Sequence, residues 1–268
     1  MNADVEFVPA GDLRTELGPP QPLQTRDVVP EIHPRMRVQI SFDDARRDSM
    51  RYGTQIAQEL GLIFTMHIPV GYILQNNSFI CTWDQLREYQ QSGRWEYGSH
   101  LLNAAILSPV NAQGTLWHNL PNRIWLPELN RLENPDEYHA RVQRDFSESR
   151  QILRQELGGS FNFVSYPFGD IGQEDTINVK NPVQTIIQNA EEFYDVGFIQ
   201  SRFGYAVAGD NPLLYQRIEP DNWMSGTNLV EMLYENHPVF LARRMRAEFA
   251  ALEGKPHLAM DMLKKLKK

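Results

Sequence analysis

Two adjacent carboxylates, Asp43 and Asp44, end the alternating stretch MRVQISF at residues 36–42, in which Val38, Ile40 and Phe42 share one face. The alternation predicts a strand, with the pair at its carboxyl end. Parallel sheets and barrels collect their chemistry at that end. Two carboxylates there can divide the labour: one binds a divalent cation, while the other acts as general base with a proton affinity set by the neighbouring charge. The same dipeptide also suits a helix start, where aspartate caps the first turn and complements the macrodipole. Cys81 is the single cysteine, which excludes an intramolecular disulfide and a site built on several thiolates. A metal here must be held by oxygen and nitrogen.

The surrounding elements follow a βαβ rhythm. DSMRYGTQIAQELG places Met50, Tyr52, Ile56 and Leu60 at helical spacing and stops at Gly61. LIFTMHIPVG reads as a strand, TWDQLREYQQSG as a helix capped by Thr82 and ended at Gly93, and WEYGSH as a short strand or turn. From Leu101 to about Glu133 the rhythm fails, with Pro109, Pro121 and Pro127 and no clear period, which marks a functional insertion. It resumes with a helix starting at Asn134-Pro135 and stopped by Gly158-Gly159. The strand FNFVSYPFGD, the helix NPVQTIIQNAEEFYDVG and the strands FIQSRFGYAV and YQRIEPDNW follow. Strands alternating with helices imply an α/β protein with a parallel sheet, either a barrel or doubly wound.

The 268 residues hold 26 Lys and Arg against 34 Asp and Glu, a net charge of −8, which argues against a nucleic-acid partner. No apolar run is long enough to span a bilayer, and the N-terminus has neither a basic leader nor an apolar signal core. The expected location is cytoplasmic if Met1 is the natural start, and periplasmic only if a signal peptide has been removed.

VQISFDDARRDSMRYGTQIAQELGLIFTMHIPVGYI resembles the opening of the polysaccharide deacetylases, carbohydrate esterase family four, whose first motif is a strand ending in Thr-Phe-Asp-Asp-Gly. GRWEYGSHLLNAA is similar to their second motif, PDEYHARVQRDFSESRQILRQELGGSFNFVSYPFGD to the helix and strand ending in their third, and EEFYDVGF with YQRIEPDNW to the later strands. The resemblance spans about residues 37–225. It implies an α/β fold, a distorted (β/α) barrel of the polysaccharide deacetylase type. Asp43 would be the general base, with Asp44 and His100 as ligands to zinc, or to cobalt or nickel. The groove would be lined by Tyr166, Phe168, Asp170, Trp223 and Arg123.

The departures from the pattern fall at the chemistry. Ala104 and Ala105 occupy the places of the family's second metal histidine, Ala45 that of the first motif's glycine, and Ser165 that of an arginine that often steadies the catalytic aspartate. The family's late histidine, a general acid, has no counterpart, since no histidine lies between His139 and His237. Asp44 and His100 fall short of the three protein ligands usual for catalytic zinc. His118, on the insertion, or His67, in the strand TMHIP, could complete the set; each also reads as an ordinary histidine satisfied by its neighbours.

Three units follow: an extended proline-rich lead-in at 1–35, a deacetylase-like domain at 36–235, and a C-terminal helical hairpin at 236–268. The hairpin resembles one tetratricopeptide unit and carries five of the six lysines. A single such unit cannot bury its own apolar face, so it is expected to pack on the barrel, dimerise, meet a protein partner or be the first repeat of a longer array. The expected function is metal-dependent removal of an acetyl or similar acyl group from an N-acylated amino sugar in bacterial surface polysaccharide biosynthesis, O-antigen or exopolysaccharide. The alternative is a catalytically degenerate relative that binds a glycan or a partner.

Overall fold

The computed structural model describes residues 5–11, 36–173, 176–200, 211–220 and 224–236. The expectations for Trp223, for most of the lead-in and for the hairpin beyond residue 236 lie outside these residues.

The elements in chain order are β1 (Val5–Phe7), β2 (Met36–Val38), β3 (Ser41–Asp43), α1 (Arg47–Leu60), β4 (Phe64–Ile68), α2 (Val70–Leu74), α3 (Trp83–Gln91) and β5 (Trp95–Ser99). The insertion then supplies β6 (Leu107–Pro109), β7 (Leu116–His118), β8 (Trp125–Leu126) and β9 (Arg131–Leu132). The rhythm returns with α4 (Pro135–Leu157), β10 (Phe163–Ser165), α5 (Pro182–Phe193), β11 (Val196–Gln200), β12 (Tyr215–Arg217) and α6 (Gly226–Asn236). Six strands form one parallel sheet in the order β12-β11-β10-β5-β4-β3, with α1, α3, α4 and α5 as crossovers, so the α/β expectation holds.

The sheet is open in its hydrogen bonding and curled in space. β3 and β12 lie at opposite ends of the strand order, yet the Arg217 guanidinium of β12 donates to Asp43 and Ser41 of β3 at 2.7–3.0 Å. The curl brings the two edges together, and side chains close the distorted barrel where backbone pairing does not.

Local sequence accounts for most boundaries. Thr82 and Gln85 form a reciprocal capping box at the start of α3, and Asn134 and Glu137 form another at α4, with Pro135 at the first helical position. Asp43 and Asp44 cap nothing: the N-cap of α1 is Arg46, with no side-chain cap bond. That removes the structural explanation for the acidic pair.

Two readings need correction. MRVQISF is two strands rather than one: β2 pairs with β1, and β3, after a break at Gln39-Ile40, joins the main sheet beside β4. The helix expected after Asp44 exists, but its buried face is Met50, Gly53 and Ala57, while Tyr52, Ile56 and Leu60 are exposed. The indole of Trp95 decides the phase. It lies so close over Gly53 that a Cβ there would come within 2.8 Å of the ring, and its Nε1 donates to Thr54 Oγ1.

The two larger of three buried apolar clusters flank the sheet. One joins α1 and α3 to β4 and β5 through Met50, Met66, Leu86 and Trp95; the other joins α4 and α5 to β10 through Val142, Phe146, Val164 and Ile186. The aperiodic insertion is two small antiparallel hairpins, β6-β7 and β8-β9. Many of its polar groups are bonded: Arg141 reaches Glu133 and the carbonyls of Asn119 and Asn122, and Asn178 bonds the backbone of Arg123, while Trp117 Nε1, Asn119 Oδ1 and Arg123 Nε are buried without a partner among the described residues. Those partners are what allow so long an irregular segment to pack.

Candidate active site

The site grows from the carboxyl end of β3. Asp43 and His67 are register partners on neighbouring strands, so their side chains share a face, and His67 Nδ1 lies 2.9 Å from Asp43 Oδ1. The ring of His67 fits because its partner on β5 is Gly98, where a Cβ would approach the imidazole to 2.7 Å. Asp43 Oδ1 also accepts from Arg217 at 3.0 Å, and Oδ2 accepts from Arg217 at 2.7 Å and from Ser165 Oγ at 3.3 Å.

The charges settle accordingly. Burial opposes ionisation of Asp43, but Arg217, then His100 and His67, outweigh it and hold the carboxyl well below the usual carboxylate range. Burial pushes the His67 imidazole down to about 4 against the pull of Asp43, so His67 is neutral at physiological pH. An ionised carboxylate only accepts, so the Nδ1 of His67 carries the hydrogen. Its Nε2 is buried and has no hydrogen-bond partner. Arg217 supplies the arginine that Ser165 displaces from the third motif, from a different strand.

Past Asp43 the backbone turns left-handed, with φ of 72° at Asp44 and 50° at Ala45. Consecutive non-glycine residues in that region are strained, which explains why the family's motif has glycine at the place of Ala45. The turn leaves Asp44 half-exposed, 3.8 Å from Nε2 of the buried His100. His100 Nδ1 lies 2.9 Å from the Ser165 carbonyl. A carbonyl cannot donate, so Nδ1 carries the hydrogen and Nε2 is the nitrogen turned toward Asp44, the arrangement a metal ligand needs.

The segment after His100 is clamped. Asp145 of α4 accepts from the amides of Leu102 and Asn103 at 2.7 and 3.0 Å, and Gly71 of α2 donates to the Leu102 carbonyl at a distance that leaves no space for a Cβ. Burial pushes the Asp145 carboxyl up to about 6, against the two amide bonds. A carboxyl raised above its unfolded value of about 4 favours the folded state below that pH and loses the contribution as pH rises through 6. We expect the stability of wild type relative to Asp145→Asn to fall by up to about 3 kcal/mol between pH 4 and 7. Urea unfolding of both proteins across that range measures the difference, and a flat difference would contradict the assignment.

His118 of β7 is not gathered with Asp44 and His100. Its Nδ1 lies 2.7 Å from Oδ2 of the fully buried Asp170, and its ring is stacked between Trp117 and Phe168. Among the described residues no three His, Cys, Asp or Glu side chains converge in a geometry that could hold an ion. The places of the missing second histidine are filled by buried alanines, with Ala104 part of the core. His67 serves Asp43 instead.

The expected groove residues divide. Phe168 is 43% exposed at the rim. Tyr166 is a correction: it is fully buried against Phe146, because its side chain points into the second core. Asp170 is also buried and reaches the rim only through His118. Arg123 is tied through its backbone to Asn178 in the insertion and makes no bond to the Asp43 cluster. The residue missed from sequence is Arg217. Its signal is a lone cation two residues after an apolar tyrosine in YQRIEPDNW, on the face that carries the buried Tyr215.

A curled parallel sheet with carboxylates and imidazoles at its carboxyl end is a (β/α) barrel with a hydrolytic type of site. The chain belongs to the polysaccharide deacetylase family: the family model described as Polysaccharide deacetylase matches residues 32–183, more than half of the 268 residues. It is 27% identical over 103 residues to the poly-beta-1,6-N-acetyl-D-glucosamine N-deacetylase of Escherichia coli strain K12. That stretch covers 38% of this chain and only 15% of the relative. Among solved structures, a de-N-acetylase from Aggregatibacter actinomycetemcomitans matches with a TM-score of 0.65 at 19% identity, covering 85% of this chain and 83% of that one. The Streptococcus pyogenes deacetylase PplD matches with a TM-score of 0.58 at 18% identity, over 85% and 80% of the two chains. The BpsB deacetylase domain from Bordetella bronchiseptica matches with a TM-score of 0.57 at 21% identity, over 69% and 71%. At these identities the structural matches are likenesses of fold. No described helix is long and apolar enough to cross a membrane.

Proposed function

We propose that the protein removes an acetyl or similar small acyl group from an N-acylated amino sugar of a bacterial surface polysaccharide, an exopolysaccharide or O-antigen. The observation that carries this reading is the convergence of Asp43, Asp44 and His100, from β3 and the end of β5, with Arg217 holding the first of them. The name of the Escherichia coli relative supports a poly-N-acetylglucosamine chain as the substrate class.

Asp44 and His100 fit as two ligands of a divalent cation, zinc first and cobalt or nickel next. One imidazole with its Nε2 presented and one half-exposed carboxylate is a nitrogen-oxygen donor set suited to such ions. When bound, the ion polarises the acyl carbonyl and lowers the proton affinity of water. Asp43 then takes the proton of the attacking water, exchanging one of its present hydrogen bonds for it, while Arg217 and Ser165 fix the orientation of the carboxylate. With two protein donors the ion is held weakly and exchanges with chelators.

One observation favours the second reading, a glycan- or partner-binding protein without turnover: both oxygens of Asp43 are already engaged and its proton affinity is low, which weakens it as a base. Acetate release from β-1,6-linked N-acetylglucosamine oligomers, with zinc, cobalt or nickel titrated in and metal binding followed calorimetrically, separates the two. Metal-stimulated acetate release is the expected result. Oligomer binding with no acetate under any of the three ions would leave only the binding reading.

A further inference from the structure

His118 lies on an insertion and outside the Asp44–His100 pair, yet it is as carefully held as any residue at the rim. Its imidazole lies between two aromatic rings, the indole of Trp117 at 4.9 Å and 26° and the ring of Phe168 at 4.2 Å and 6°. Its Nδ1 meets Asp170 Oδ2 at 2.7 Å, and the other oxygen of this fully buried carboxylate accepts from the Gly172 amide at 2.8 Å. The short contact to Asp170 engages Nδ1 and leaves Nε2 as the other ring nitrogen. With Nδ1 engaged and the ring stacked against two aromatic side chains, Nε2 is the nitrogen left to meet a ligand, and the side chain keeps 17% of its surface exposed.

The surrounding loop is built for this geometry. Phe168 and Gly169 both have positive φ, 59° and 63°, and the Cβ of any residue at 169 would come within 2.7 Å of Gln200. A phenylalanine in that conformation persists only where its surroundings over-determine it. The loop also belongs to the rim of the site already described. It leaves β10 directly after Ser165, which touches both Asp43 and His100. From the other side, Asn119, next to His118, donates to the carbonyl of Asn103, three residues past His100.

We propose that His118, oriented by Asp170, is a proton donor to the departing amine in the deacylation proposed above, and the inference rests on that reading. Water adds to the acyl carbon as its proton passes to Asp43, forming a C–O bond. The C–N bond then breaks as the proton on His118 Nε2 passes to the sugar nitrogen, giving the free amine and acetic acid, which ionises to acetate in solvent. The proton gained by Asp43 returns to His118 through solvent, and the enzyme is regenerated. Asp170 holds the ring through Nδ1 and stabilises the imidazolium. A histidine outside ligand reach of Asp44 suits this role better than it suits a third ligand, because the leaving nitrogen and the attacked carbonyl oxygen lie on different sides of the reacting carbon.

The test compares leaving groups. An amine must be protonated to leave, whereas 4-nitrophenolate leaves unaided. In His118→Gln we expect kcat for the N-acetylglucosamine oligomer to fall by about a hundredfold or more, with hydrolysis of 4-nitrophenyl acetate kept within about threefold and melting temperature little changed. Asp170→Asn should show the same split with a smaller amplitude. Equal losses on both substrates would make His118 a ligand or a structural residue, and no loss on either would make it a bystander; each result overturns the proposal alone. A wild-type enzyme that cleaves the aryl ester but releases no acetate from the oligomer would overturn the functional reading and this inference together.

Discussion

Replacing Asp43 by asparagine is expected to lower deacetylation by about a thousandfold or more while leaving metal binding intact. Asparagine matches the carboxylate in shape and still offers Arg217 one acceptor, so the barrel closure survives. It cannot take a proton from water. Its amide nitrogen would also face either the Nδ1 hydrogen of His67 or the hydroxyl of Ser165, both of which Asp43 accepts from. Asp44→Asn provides the contrast, since that side chain bonds neither Arg217 nor His67 and lies 3.8 Å from His100 Nε2. In calorimetric titrations Asp44→Asn should lose zinc binding and Asp43→Asn should keep it. Activity of Asp43→Asn within tenfold of wild type would remove Asp43 from the chemistry.

Loss of Arg217 should be the most costly single change to stability at the site, about 3 kcal/mol for Arg217→Leu at pH 7. Arg217 and Asp43 are 13% and 21% exposed, so truncating the cation leaves a largely desolvated carboxylate with only His67 and Ser165 as partners. The same guanidinium packs over Phe198 and bonds Ser41, and it is the described link between the two edge strands. The pH dependence follows from the direction of the shift. A carboxyl held below its unfolded value stabilises the fold above about pH 4 and loses that contribution as pH falls further. The gap between wild type and Arg217→Leu should therefore be widest near neutrality and narrow below pH 4, measurable from urea midpoints at pH 7 and 3.5. Arg217→Lys should recover only part of the loss, because an ammonium cannot hold both oxygens of Asp43 in a planar fork. A gap independent of pH would show that packing over Phe198, and not the ion pair, carries the effect.

Local signals were legible where a local cause acts. The caps at Thr82 and Asn134, the stops at Gly61, Gly93 and Gly158, and the alternation of strands and helices are fixed by residues within a turn or two of where they operate. The motif around Asp43-Asp44 and the one ending at His100 were readable for the same reason. Other features depended on partners far away in sequence. The buried face of α1 has no local signal, because its phase is set by Trp95, more than forty residues on. Tyr166 looked like a groove wall because an aromatic before Pro-Phe-Gly carries no mark of which side of the sheet it will occupy.

The sequence by itself determined the class of the protein: a parallel α/β chain whose acidic pair and histidine stand at strand ends, with no thiolates available for a metal. Those properties reside in residue types and short spacings. Tertiary structure alone decided the wiring of the site. Arg217 meets Asp43 across 174 positions, His67 turns from metal toward the base, and Asp170, in the loop after β10, holds His118. Each of these contacts depends on how far the sheet curls and on which neighbouring side chains are small enough to admit a ring, and neither quantity is written in any single stretch of the chain.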